Sequence, residues 1–335
     1  MKRQAYTYFI TTFLWVAVSQ ILSGQVIVAL PDFPGPARDD AVAEVSGDFM
    51  FYGTGFSAGF SPLRDFWRYS FSDTNWEQLP DVPFSARQYC ASAMVRDQLY
   101  LIGGWHDPQE YYDEVWRLDT RSMRWEQLSD FPGAPRWAAS AVSHRGVIYF
   151  GMGRDNSARY QDWWAYHPEQ NHWQPLPPLP AQGRNVALAE VVGAKIYLGL
   201  GEDSLGQALS DIWVFDIKQH LWEKLAMPNL PALKHPASAV RQGKIYLAGG
   251  ESNDSLTANF RELNVLTGKL RDFGKVGYRQ GRGGSMVQYG CELYLIGGLS
   301  VTQERLQEFF KIGWSAYQKI TPERLIPFRL QVLCA

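Results

Sequence analysis

Six histidines, His106, His144, His167, His172, His220 and His235, are scattered along the chain. No pair stands at the spacing that a helix or a short loop needs to grip zinc. No nucleophile elbow and no phosphate-cradling glycine loop accompanies them. The expectation is therefore a chain with no metal and no cofactor. Two acids are better placed for chemistry, because Glu202 and Glu251 each directly follow a glycine. A carboxyl held there could move a proton at a sugar carbon. A third group is the spaced arginines Arg38, Arg87, Arg136, Arg184 and Arg282. Their planar forks suit carboxylates. Trp105, His106 and Tyr111, with Arg154 further on, are residue types that anchor contacts.

What positions these residues is a repeat. Glycines close short apolar runs at 55, 104, 153, 201, 250 and 298, in steps of 49, 49, 48, 49 and 48. Trp76, Trp125, Trp173 and Trp222 keep the same step, with Leu270 in the fifth place. Trp67, Trp116, Trp164 and Trp213 keep it as well. The arginines open the units, and Lys234-His235 stands for Arg in the fifth. Each unit reads as four strands: one from the Arg, a tight turn such as Arg145-Gly146, the glycine-ended run, and two Trp-bearing strands. Six variable loops, 56–64, 105–112, 154–161, 202–210, 251–259 and 299–307, would share one face, where function usually sits.

Four-stranded units of this length with paired glycines and spaced aromatics resemble the kelch repeat. Repeats one, three and four carry Gly-x-Gly instead of Gly-Gly, and repeat five lacks both tryptophans. The resemblance implies an all-β fold, a six-bladed kelch-type β-propeller with four antiparallel strands per blade over residues 25–320. Two segments compete to close the ring: Val26 to Leu30, and Tyr317 to Ile320. The N-terminal strand is the preferred closure, since it ties the ends and removes an edge. Residues 321–335 then form a tail, an extra strand or an incomplete unit.

Before the propeller, Lys2 and Arg3 precede an apolar run from Phe9 to Leu22, then Ser23-Gly24-Gln25. Residues 1–24 read as a signal peptide, cleaved near Gly24, which implies a secreted, periplasmic or cell-surface protein. No later segment is apolar enough to span a bilayer. The formal net charge of −2 shows no basic excess for nucleic acid. Cys90, Cys291 and Cys334 are odd in number and read as unpaired thiols rather than a disulfide framework.

Two functions follow. The first is a monomeric interaction module for a protein or carbohydrate ligand, using Arg87, Arg136, Arg184, Arg282, Trp105, His106, Tyr111 and Arg154. Beside it stands a plainer reading, in which the repeated arginines only hydrogen-bond the crossovers between blades. The second is an enzyme. Tyr166-His167 is similar to the Tyr-His pair of copper radical oxidases, but falls at a turn on the opposite face. The chain is also similar to the sialic-acid mutarotase (N-acetylneuraminate epimerase) family. That resemblance implies an acid directly after a blade glycine, as at Glu202 and Glu251, followed by an arginine. No arginine stands at the matching place after Glu202, and Arg261 lies too far beyond Glu251. Binding is the preferred reading, because catalysis needs a geometry that spacing alone does not supply.

Overall fold

The computed structural model describes residues 24–253, 255–275 and 278–314. Among them the chain forms six four-stranded antiparallel sheets arranged as the blades of a propeller. No helix among these residues is long and apolar enough to cross a membrane. Blade two shows the pattern. Its inner strand Ala91–Val95 pairs with Gln98–Ile102, which pairs with Val115–Asp119, which pairs with Arg124–Gln127.

Burial follows this order outward. Inner strands alternate in burial, Ala91, Ala93 and Val95 of blade two packing toward blade three and Met94 toward blade one, while the strand as a whole borders a central channel. Second strands such as Gln98–Ile102 are buried almost throughout, because blades cover both faces. Outer strands such as Leu221–Leu225 are mostly exposed. The core is correspondingly divided among the blade interfaces. Leu99, Leu101 and Leu118 of blade two pack on Phe51, Phe66 and Leu79 of blade one. An equivalent cluster joins blade six to blade one through Tyr294, Ile296, Phe309, Met50, Tyr52 and Tyr69. A lone four-stranded sheet could bury neither face this way.

The sixth blade is completed by the N-terminal strand Gln25–Leu30, paired antiparallel with Phe309–Trp314 from Gln25 opposite Trp314 to Leu30 opposite Phe309. The preferred closure is thus the one observed. The competing segment Tyr317–Ile320, residues 1–23 and the tail from 321 lie outside the described residues. Cys90 is a free thiol, but Cys291 is disulfide-bonded, which corrects its reading as unpaired.

The paired glycines hold left-handed backbone that crowding also demands. Gly104 has φ of +109°, and a Cβ there would meet Cys90 Sγ at 2.8 Å. Where the repeat shows Gly-x-Gly, the middle residue keeps that conformation without being glycine: Thr54, Met152 and Leu200 have φ of 56°, 60° and 55°. The blade geometry therefore outlasts the motif, at a cost of order 1–2 kcal/mol per residue.

Candidate functional site

The repeated arginines lie inside the blades. Arg38 makes two bonds to the Asp65 carboxylate, at 2.8 and 2.5 Å, and a third to the Thr54 carbonyl at 2.9 Å. Arg87 bonds Glu114 and the Gly103 carbonyl, Arg136 bonds Asp162 and the Met152 carbonyl, and Arg184 bonds Asp211 and the Leu200 carbonyl. Each carboxylate also accepts from the indole two residues on: Trp67, Trp116, Trp164 or Trp213. Arg87 and Arg136 are further sandwiched between rings, Phe84 with Tyr112 and Phe131 with Tyr160. Exposure of these four arginines is 0–2%.

This corrects the expectation that Arg87, Arg136 and Arg184 bind a ligand. Their guanidiniums fasten the entry of the inner strand to the glycine turn and the third strand, with Arg184 Nε left without a hydrogen-bond partner among the described residues. Blade five loses the arginine, the acid and the indole; blade six loses the arginine and the indole but keeps an acid, Glu308, paired with Arg279, while Gln280 donates to the Gly297 carbonyl. Lys234 and Arg282 bridge Glu251 and Leu299 as Gln88 bridges Trp105, so both fall one place past the clamp position. Leu233 and Gly281 stand at the clamp position itself, and the indoles are replaced by Arg261 and Phe310.

The residue after that bridge carries the inner ring of the site. Asp40, Tyr89, Ala138, Val186, His235 and Gly283 all have left-handed φ, from 46° to 64°. Each donates its N–H to the equivalent carbonyl of the preceding blade, Asp40 to Gly283, Tyr89 to Asp40 and so on round to Gly283 on His235. Six backbone bonds close a hoop around the mouth of the channel. It encloses a cavity of about 150 Å³.

Polar side chains converge there. His235 Nε2 lies 3.1 Å from Asp40 Oδ1, and Arg282 Nη1 donates to His235 Nδ1 at 3.4 Å. Since Arg only donates, Nδ1 accepts and the imidazole proton sits on Nε2, toward Asp40. Burial, then the Asp39 charge, pushes Asp40 well above the usual carboxylate range. Burial, then Arg282 and Lys234, pushes His235 down to about 3, so it is neutral. Asp40 is 7% exposed, with His235 Nε2 against its Oδ1 and a hydrogen bond from Tyr89 to its carboxyl.

Outside the hoop, charges run in a chain. Arg305 holds Asp39 at 2.6 Å, Arg282 holds Glu251 at 3.2 Å, and Lys234 reaches both Glu251 and Glu202. Arg159 also binds Glu202 and Asn185. Burial alone would raise Glu202, but the bonds from Arg159 and Lys234 outweigh it and hold the carboxyl below its ordinary range. Glu202 is therefore an anchored carboxylate, and Glu251 is held between Lys234 and Arg282. The arginine missing after Glu202 in sequence is supplied in space by Arg159, from the preceding blade.

The opposite half of this face is aromatic. Phe56 lies 6.4 Å from Trp105, Trp105 lies 5.9 Å from Trp137, and Trp137 lies 5.1 Å from Tyr89. Arg305 stacks on Phe56 at 4.7 Å and Arg154 on Trp137 at 4.8 Å. Phe60, also under Arg305, is 79% exposed. Of the residues expected here from sequence, Trp105 and Arg154 join this strip, and Tyr111 pairs with Trp105 across a small hairpin. His106 hydrogen-bonds the Ala86 carbonyl through Nδ1 at 2.6 Å. His106, Asp107 and Glu110 bring ligand atoms within 4.8 Å of one another, a grouping the sequence reading did not anticipate. Nothing else among the described residues points to an ion there.

Asp40, Tyr89, Trp137 and His235 are site residues that the sequence reading missed. The signal in the sequence was partial: Asp40, Tyr89 and Trp137 stand one or two places after the repeated Arg, but His235 follows Lys234 in a unit that lacks it, so the register across units was masked.

The chain is similar to known proteins at two levels. A profile of the KLHDC2/KLHL20/DRC7 kelch-repeats domain matches residues 14–198. Among solved structures, one titled "Structure of YjhT" superposes with a TM-score of 0.72 at 16% identity, covering 85% of this chain and 97% of that one. At that identity the likeness is one of fold. No curated protein matches. With more than half its length under the kelch profile and six blades on one repeat, the chain belongs to the kelch-repeat family of β-propellers.

Proposed function

We propose that this propeller is an exported interaction module that holds a protein or carbohydrate partner on its loop face. The observation that carries the reading is the strip Phe56–Trp105–Trp137, capped at its two ends by Arg305 and Arg154. Aromatic rings give large contact area at small entropic cost, and the Arg154 guanidinium favours a ligand bearing a carboxylate, Arg305 being held by Asp39. Arg154 has no carboxylate partner among the described residues, which leaves its charge available to a ligand. Export is supported by the N-terminal pattern Lys2-Arg3, the apolar run and Gly24. N-terminal sequencing of the mature protein would start near Gln25. A binding screen against arrays of acidic glycans and acidic peptides tests the surface. Trp105→Ala and Arg154→Ala are expected to lose the retained ligand, and undiminished binding by both would remove the strip as the contact site.

A second reading, a mutarotase or epimerase on an acidic sugar, is favoured by one observation, the buried Asp40 lining the mouth cavity beside His235 and Tyr89. A carboxyl raised by burial is suited to act as a general acid near neutral pH. On this reading the proton passes through Asp40, since Glu202 and Glu251 are held in ion pairs. Exchange NMR on free sialic acid decides it. Faster anomer interconversion that Asp40→Asn abolishes supports the enzyme, and no acceleration rejects it.

A further inference from the structure

Below the mouth, the inner strands enclose a channel of about 490 Å³. Mouth cavity and channel share the walls Cys90, Ala139 and Ala187, so the two adjoin at small side chains. The channel lining contains two charged residues, Glu44 and Glu190, and no Lys, Arg or His. They stand at equivalent places in blades one and four, which face each other across a six-membered ring. Each accepts a hydrogen bond from a serine of the next blade: Ser92 to Glu44 at 2.8 Å, and Ser238 to Glu190 at 2.7 Å. A third acid, Asp40, lines the entrance, where His235 and Tyr89 engage its carboxyl.

Glu44 and Glu190 are half-buried, and carboxylates drawn out of water without a counter-charge are costly, so proteins pair them, neutralise them or give them a cation. Here no side chain of the lining can pair them. We infer that the central channel is a binding site for a slender aliphatic diamine, one ammonium on Glu44 and the other on Glu190. The two acids lie on opposite walls and belong to no cluster of three ligand atoms among the described residues, which disfavours a directly bound metal ion. The walls between them are Ala93, Ala141, Ala189, Val191 and Met286, which suit methylene groups. Ser92 and Ser238 hold each carboxylate in place. This inference concerns the channel and stands apart from the reading of the loop face.

With the channel empty, the same carboxyls stay protonated to higher pH. Burial pushes Glu44 up to about 7, opposed by the Ser92 bond. Burial pushes Glu190 up to about 7 as well, opposed by Ser238, with the Glu44 charge adding to the rise. Diamine binding must then release protons and strengthen as pH rises through 7, by roughly tenfold per unit for each carboxyl still protonated.

Calorimetric titration of the full chain with 1,4-diaminobutane at pH 6 and pH 8 tests this. The expected result is one site, at least tenfold tighter at pH 8, with heats that differ between buffers because protons are released. Glu44→Gln and Glu190→Gln should each weaken binding at least tenfold. Ser92→Ala and Ser238→Ala, milder changes at the same place, should weaken it less. The wild-type pH dependence needs no variant to fold. Absence of saturable binding at pH 8 would overturn the inference. So would equal binding of butane-1,4-diol, undiminished binding by the double Gln variant, or magnesium binding in place of the diamine.

Discussion

At the scale of single residues, the arginine that opens each unit illustrates how one motif supports two stories. Regular spacing of a planar cation fits a ring of ligand donors as well as it fits a ring of internal fasteners. Burial separates them, because Arg136 is 2% exposed and bonded to Asp162, the Met152 carbonyl and the Ala134 carbonyl. Removing one member of such a buried pair leaves an unpaired charge, at a cost of about 3–5 kcal/mol. Arg136→Leu should destabilise by about that much in denaturant melts, and Arg136→Leu with Asp162→Asn by clearly less. Blade five already lives without the clamp, with Leu233 and Asn259 at the two places. Additive losses in the double variant would show that the two residues do not act as a unit. The sequence displayed the spacing but not the direction of the side chain, and direction decided the role.

At the scale of the element, the strands were legible and the approaches to them were not. Glycine-ended runs and Trp-bearing strands fall where the repeat puts them, because burial on both faces forces a long apolar run and a fixed turn. The lead into the inner strand is different. A one-residue offset separates Arg184 from Lys234 and Arg282 in structural register, and an offset of one sends a side chain to another surface. That offset hid the hoop of left-handed residues and, with it, Asp40, Tyr89 and His235. Loop contacts such as Arg159 on Glu202 join different blades, so no spacing within one unit could show them. The inner strands also make a prediction of their own. Glu44 and Glu190 are raised in the folded chain to about 7, so folding favours their protonated forms. Their contribution is fully present below the ordinary carboxylate range and is lost as pH rises toward 7. The double variant Glu44→Gln, Glu190→Gln should therefore gain stability over wild type at pH 8, on the order of 1–3 kcal/mol per site, and little at pH 4. Equal gains at both pH values would contradict the assignment.

At the scale of the whole molecule, ring closure turns six weak sheets into one body. The strand Gln25–Leu30 completes the last blade, and six interface clusters and the hoop of backbone bonds run around the axis. Such a frame holds loops from different blades in fixed relation, which is what lets Phe56, Trp105 and Trp137 act as one surface. The most direct test of that surface is the affinity of the tightest array ligand for wild type, Trp105→Ala and Leu221→Ala, the last being an exposed change on an outer strand. A contact anchor is worth about 2 kcal/mol or more, which is about 30-fold in affinity. The account predicts a loss of about that size for Trp105→Ala and almost none for Leu221→Ala. Equal affinity of all three proteins would contradict binding through the loop face.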